Sequence, residues 1–161
     1  MSKPVSIAYL EVSPRMTGKT TRLCSMANAV AAGGRQVVFV CDPHLANWLP
    51  VPLVNVNVVP DGAPSLSDGT YQHAVWFFDE FEQLKSVQLR PGAYYATTAQ
   101  RLRVAGEDSP ENDLLMRLIK ANGQRFERYQ WPFDYRDFVR SNRASMSPEQ
   151  FRLSILGEFL Q

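Results

Sequence analysis

The chain has 161 residues, 45% of them hydrophobic, and a net charge of +1. That is enough apolar material for one packed domain, and the near-zero charge excludes a strong electrostatic footprint for nucleic acid. No stretch is long and apolar enough to cross a membrane, the N-terminus lacks a signal-peptide pattern, and the two cysteines, Cys24 and Cys41, show no metal-ligand spacing. The cysteines are expected to be small buried thiols, which suits a reducing compartment, and the expected location is the cytoplasm. The charge is uneven. Up to residue 84 five basic residues face seven acidic ones, and from Lys85 onward twelve face nine. The C-terminal half is therefore mildly basic, which permits contact with DNA.

Strand and helix patterns alternate along the chain, the signature of an α/β fold with a mostly parallel central sheet and helices on both faces. The first strand is expected over Val5–Glu11. It runs into Ser13-Pro14-Arg15-Met16-Thr17-Gly18-Lys19-Thr20, followed by Thr21 and a helix-like segment that stops at Gly33-Gly34. A strand, a loop ending in Gly-Lys-Thr and a helix form the context of a phosphate-binding P-loop, with Ser13 where the first glycine usually stands. The backbone N–H groups of such a loop and the helix N-terminus favour bound phosphate. Lys19 is expected to reach the β- and γ-phosphates of a nucleoside triphosphate such as ATP, and the Thr20 hydroxyl to take one place on Mg²⁺.

Further strands are expected over Gln36–Cys41, Leu53–Val59, Ala74–Phe78 and Ala93–Thr97, with a sixth over Arg125–Gln130. The fourth, Val75-Trp76-Phe77-Phe78, is apolar throughout, as a buried parallel strand should be, and ends in Asp79-Glu80. Ligands bind at the carboxyl ends of strands in such sheets. Asp79 is expected to hold the metal and Glu80 to act as general base toward water, which favours hydrolysis over phosphoryl transfer to a metabolite. The fifth strand ends in Thr97-Thr98, whose hydroxyls could sense the γ-phosphate or simply satisfy a turn. A helix is expected after Ser109 (cap) and Pro110, closed by Gly123, with Leu115, Leu118 and Ile119 on one face. A last helix is expected with Ser147 as cap, Pro148 first, Gln150 completing a capping box, and Met146 stapled onto Phe151. Phe151, Ile155 and Phe159 would form its stripe, with a break at Gly157.

Arg15 is the first candidate for an arginine that neutralises charge on the γ-phosphate, in its own chain or for a neighbour, with Arg101 and Arg103 as weaker ones. The rings of Phe126, Tyr129, Trp131, Phe133, Tyr135 and Phe138 interleave with Arg125, Arg128, Arg136 and Arg140. They read as core more readily than as a stacking surface for nucleic acid. His44 and His73 sit singly and read as structural or solvated.

In its order of motifs the chain resembles the ATPase domain of the large terminase subunit of tailed bacteriophages. The resemblance rests on the arginine-bearing loop Pro14–Thr21, on Phe77-Phe78-Asp79-Glu80, on Ala96-Thr97-Thr98 and on Phe151-Arg152…Leu156-Gly157-Glu158-Phe159. It implies an ASCE-type P-loop NTPase in a single domain, 1–161, that hydrolyses ATP with Mg²⁺ to drive double-stranded DNA into a procapsid. It also implies Thr97 and Thr98 as the coupling motif and a homo-oligomer at work. The implied partners are the portal or procapsid and a small terminase subunit or separate nuclease domain, within the infected host cell. The chain departs from that family in its short region before the loop, in Ala99 where proline often follows the threonines, and in stopping where the nuclease domain would begin. Nuclease activity is therefore expected to be absent. The competing expectation is a nucleotide-binding accessory protein of the packaging machinery with little turnover of its own.

Overall fold

A computed structural model describes residues 3–131 and 136–161. In chain order it has β1 (Tyr9–Val12), α1 (Lys19–Ala32), β2 (Val37–Cys41), β3 (Asn57–Pro60), β4 (Val75–Asp79), β5 (Tyr94–Thr97), α2 (Leu114–Ala121), α3 (Arg136–Ser145) and α4 (Pro148–Phe151). The five strands form one sheet in the order β1-β5-β4-β2-β3, and every pairing is parallel. Because both faces are covered, β2 (Val-Val-Phe-Val-Cys) is buried at every position and its side chains divide between two cores. Val37, Phe39 and Cys41 pack with Leu23, Cys24 and Ala27 of α1. Val38 and Val40 pack on the other face with Leu115, Leu118 and Ile119 of α2. Rings stack across the strands on each side: Phe77 on Tyr94 with centroids 4.3 Å apart, and Phe78 on Tyr95 at 5.1 Å. The register that sets these pairs also places the ends of β1, β5 and β4 side by side, with Val12 opposite Thr97 and Asp79 opposite Ala96.

The boundaries shift where backbone groups find other partners. β1 begins at Tyr9, because Ile7 N–H bonds to Ala121 O at the end of α2, outside the ladder. β3 begins at Asn57, because Asn55 has φ 58° and Val54 N–H bonds to the Asn28 side chain. The expected sixth strand is reduced to one parallel bridge, Glu11 to Glu127; two residues on, Tyr129 N–H bonds to Ser13 Oγ and not to the ladder. α2 starts four residues later than expected. Asp113 caps it by accepting the Met116 N–H at 3.1 Å, while the Ser109 carbonyl closes the preceding turn. Asp113 stands directly before the apolar face, and an acidic side chain there also complements the positive end of the helix dipole.

α3 was not foreseen, since only Phe138 and Val139 give it an apolar side. They pack with Trp131 and Phe151 in a small separate core. Ser147 caps α4 through the Gln150 N–H at 3.2 Å, and Met146 packs in the same small core as Phe151, as the pattern implies. The helix then widens into a π stretch, Arg152–Leu156, and ends at Gly157 with φ 69°. The expected stripe is thereby split: Phe151 and Ile155 face Trp131, whereas Phe159 joins the main core. Phe126 packs on Phe159 and Phe138 on Trp131, so these rings are core. Tyr129 stays partly exposed, and Phe133 and Tyr135 lie outside the described residues. His44 and His73 are exposed.

Both cysteines are free and buried; burial, with Asp79 nearby, pushes Cys24 up to about 12 and Cys41 to about 11. Among the described residues no helix is long and apolar enough to cross a membrane.

Candidate functional site

The loop between β1 and α1 is tied down at its ends and open in its middle. Ser13 is buried: its N–H donates to Thr97 O at 3.1 Å and its carbonyl accepts from Thr98 Oγ1 at 2.9 Å. A serine fits here because its Oγ also accepts the Tyr129 N–H at 3.0 Å. The Pro14 carbonyl accepts from Thr17 Oγ1 at 2.9 Å and from Lys19 Nζ at 3.1 Å. Arg15 holds the loop against the chain's last turns, its N–H donating to Ser154 O and its carbonyl accepting from Trp131 Nε1. There the chains approach so closely that a Cβ on Gly157 would lie 2.7 Å from Pro14 Cδ. Met16 (φ 57°) and Gly18 (φ 88°) turn the backbone into the helix. Gly18 caps α1 with no side-chain bond, so the first N–H groups of the helix are left for a ligand.

Lys19, Thr20, Asp79 and Glu80 converge although some sixty residues separate the two pairs in sequence. Thr20 Oγ1 donates to the Asp79 carboxylate at 3.0 and 3.1 Å, and Lys19 Nζ lies 3.2 Å from Glu80 Oε1. Glu80 has φ 49°, a left-handed conformation rare outside glycine, which turns its side chain back toward the loop. Its other oxygen, Oε2, accepts the Thr98 N–H at 3.1 Å. Thr98 thus joins the loop strand, through Ser13, to the acidic pair. Thr97 is buried, with its hydroxyl on the Thr98 carbonyl.

Asp79 is 1% exposed, and its carboxyl is pushed up to about 7, first by burial and then by the charge of Glu80; the Thr20 hydroxyl and Lys19 pull it the other way. A buried carboxylate beside a hydroxyl is a pair of hard oxygen donors, which fits Mg²⁺. Among the described residues no cluster of three His, Cys, Asp or Glu could hold a metal by itself.

The remaining candidates are placed as follows. The Arg15 and Thr21 side chains are exposed, and Arg15 makes no contact with Lys19, Asp79 or Glu80. It lines a cavity of about 210 Å³ with Gln100, Gln150 and Ser154. Arg101 and Arg103, the weaker γ-phosphate candidates, are both committed elsewhere. Arg103 is 4% exposed and pairs with Glu82 and Asp113, while Arg101 pairs with Asp108 and Asp113.

Two supporting residues were missed. Glu11, fully buried on β1, takes both Arg22 Nε (3.0 Å) and Nη2 (2.6 Å), and the Tyr9 hydroxyl as well. Arg22 Nη1 reaches back to Thr17 O at 2.7 Å, and the guanidinium stacks 3.9 Å from the Tyr129 ring centre. The available signal was a glutamate inside an otherwise apolar strand, with an arginine one turn beyond the loop lysine.

Comparison of the chain with protein-family models, with curated proteins and with solved structures returns no match.

Proposed function

We propose that this protein is a Mg²⁺-dependent P-loop NTPase of the ASCE type that hydrolyses ATP. The observation that carries the reading is the meeting of Lys19, Thr20, Asp79 and Glu80 at the carboxyl ends of β1 and β4, with Glu80 gripped by the Thr98 N–H. The strand order supports it, since β5 lies between the loop strand and the acidic strand and so touches both. The loop from Ser13 to Thr21 would hold the phosphates, and Thr20 with Asp79 would hold Mg²⁺, which supplies charge neutralisation at the phosphoryl oxygens.

In this reading the residues exchange partners. Lys19 leaves Glu80 and Pro14 O for the phosphates. That frees Glu80 Oε1 to accept a proton from water, while Oε2 stays on the Thr98 N–H and keeps its aim. A movement of Glu80 would act on the Thr98 N–H and pass on to Ser13, whose carbonyl accepts from Thr98 Oγ1, and to Gln100, whose Nε2 donates to Thr98 O at 2.8 Å. These bonds support a coupling role for Thr98, with Thr97 beside it bonded through its carbonyl to the Ser13 N–H.

The finer proposal is that this turnover drives double-stranded DNA into a viral procapsid, as the motif resemblance to terminase large subunits implies. The partners would be DNA, the portal and a small terminase subunit or separate nuclease domain, with several copies of the chain around the DNA. One observation favours the second reading, an accessory nucleotide binder with little turnover alone. Among the described residues Arg101 and Arg103 are committed to carboxylates and Arg15 points elsewhere, so no arginine of the same chain reaches the acidic pair. A neighbour would have to complete the site.

Steady-state ATPase assays with Mg²⁺, alone and with double-stranded DNA, test the proposal beside Glu80→Gln. Turnover that the variant loses supports the hydrolase, and stimulation by DNA supports the motor. Nucleotide binding without turnover supports the accessory reading, and no nucleotide binding overturns both.

A further inference from the structure

The opposite end of the strands from the phosphate loop carries a second concavity. Trp76 stands near the amino end of β4, and Gln88 and Arg90 precede β5. Together with Leu66, Tyr71 and Gln72 they bound a cavity of about 280 Å³. The Arg90 guanidinium carbon lies 3.7 Å from the centre of the Trp76 ring, and Tyr71 meets the same ring edge-on with centroids 6.2 Å apart. The arginine's backbone is fixed, because the Tyr95 hydroxyl accepts the Arg90 N–H at 2.9 Å and donates to Gln88 O at 2.6 Å.

The charge of Arg90 is unlike that of Arg22 or Arg103. Those two guanidiniums each hold a carboxylate. Among the described residues Arg90 has a single guanidinium hydrogen bond, from Nη2 to Leu66 O at 3.4 Å. Its Nε is buried without a partner, and among the described residues no carboxylate pairs with it. The Arg90 side chain is partly buried, and a cation that loses part of its hydration without gaining a counter-charge is left under-solvated, which the face of an indole offsets only in part. An anion seated against the guanidinium would supply the rest through charge-assisted hydrogen bonds.

We propose that this cavity binds a small organic anion, with a carboxylate or phosphate head on Arg90 and a planar or apolar body against Tyr71 and Leu66. The volume suits one ring with its head group, and the amides of Gln72 and Gln88 give polar contacts at the rim. The site lies at the strand ends opposite the phosphate loop and does not depend on the nucleotide reading.

The test is titration of the whole chain with benzoate and with phenyl phosphate, with benzamide as the uncharged control, followed by tryptophan fluorescence and amide NMR shifts. Saturable binding of at least one anion is expected, at least tenfold tighter than benzamide, with shifts at Trp76 and Arg90. The preferred anion tells a carboxylate site from a phosphate site. Arg90→Gln should weaken binding at least tenfold, and Lys19→Ala, which would remove any phenyl phosphate held at the phosphate loop, should leave the shifts at Trp76 and Arg90 unchanged. Gln72→Trp, which fills the cavity and keeps Arg90, should weaken it too and covers the case in which Arg90→Gln fails to fold. The proposal is overturned if neither anion saturates, if benzamide binds equally, if both cavity variants bind like the parent, or if Lys19→Ala abolishes the shifts at Trp76 and Arg90.

Discussion

Two ion pairs flank the same loop and differ in kind. Behind the loop, Arg22 grips the fully buried Glu11 with two bonds of 2.6 and 3.0 Å and adds a third to Thr17 O. In front of it, Lys19 meets Glu80 through one contact of 3.2 Å, and Glu80 keeps some exposure. A bidentate arginine–carboxylate pair fixes geometry, whereas a lysine is a point charge that can turn to a new partner at little cost. The rear pair is scaffold. The front pair joins groups that would have to separate for a phosphate to enter, and the comparison says which charges the protein can release.

The largest effect expected is on chemistry at the front pair. Glu80→Gln should lower the ATPase rate by about 10²–10⁴-fold, the range for losing a positioned general base, while nucleotide still binds. Single-turnover assays beside equilibrium binding check both halves, and undiminished turnover would mean that another group activates water. Lys19→Ala should weaken nucleotide binding at least a hundredfold, read by titration with a fluorescent ATP analogue, and leave the midpoint of urea unfolding nearly unchanged. Behind the loop the balance reverses. Arg22→Ala leaves a buried carboxylate unpaired and should cost about 3–5 kcal/mol of folding stability. A loss of stability from Lys19→Ala as large as that from Arg22→Ala would erase the distinction between the two pairs.

The same contrast explains what the sequence conveyed. Local patterns carried the apolar β2 and β4, the loop from Ser13 to Thr20, the glycine stop after α1 and the Ser147 cap. Each depends on residues within a few positions of one another. The meeting of Lys19, Thr20, Asp79 and Glu80 was legible because the two pairs occur in a recognisable order, and the sheet register then brings them together. What escaped was set by contacts distant in sequence. Asp113 outcompeted Ser109 as a cap while also receiving Arg103. Tyr129 N–H was diverted to Ser13, which ended the sixth strand after one bridge. Arg103 is buried only because Glu82 and Asp113 both come to it, and neither lies near it in sequence.

The smallest effect expected is also the one that isolates the electrostatics of the front. With the Asp79 carboxyl pushed up to about 7 from an ordinary value near 3.8, the folded chain holds a proton that the unfolded chain releases between those two values. The native state then binds more protons than the unfolded one, so the contribution of Asp79 to stability falls as pH rises from about 4 to about 7 and stays at its minimum above that. Asp79→Asn removes this dependence. Without nucleotide or Mg²⁺, the variant should be more stable than the parent at pH 8 by about 1–4 kcal/mol and nearly equal to it at pH 4. Urea unfolding at the two pH values reads this directly. Equal stabilities at pH 8 would mean that Thr20 and Lys19 already neutralise Asp79, which would remove the electrostatic reason for it to take up a cation.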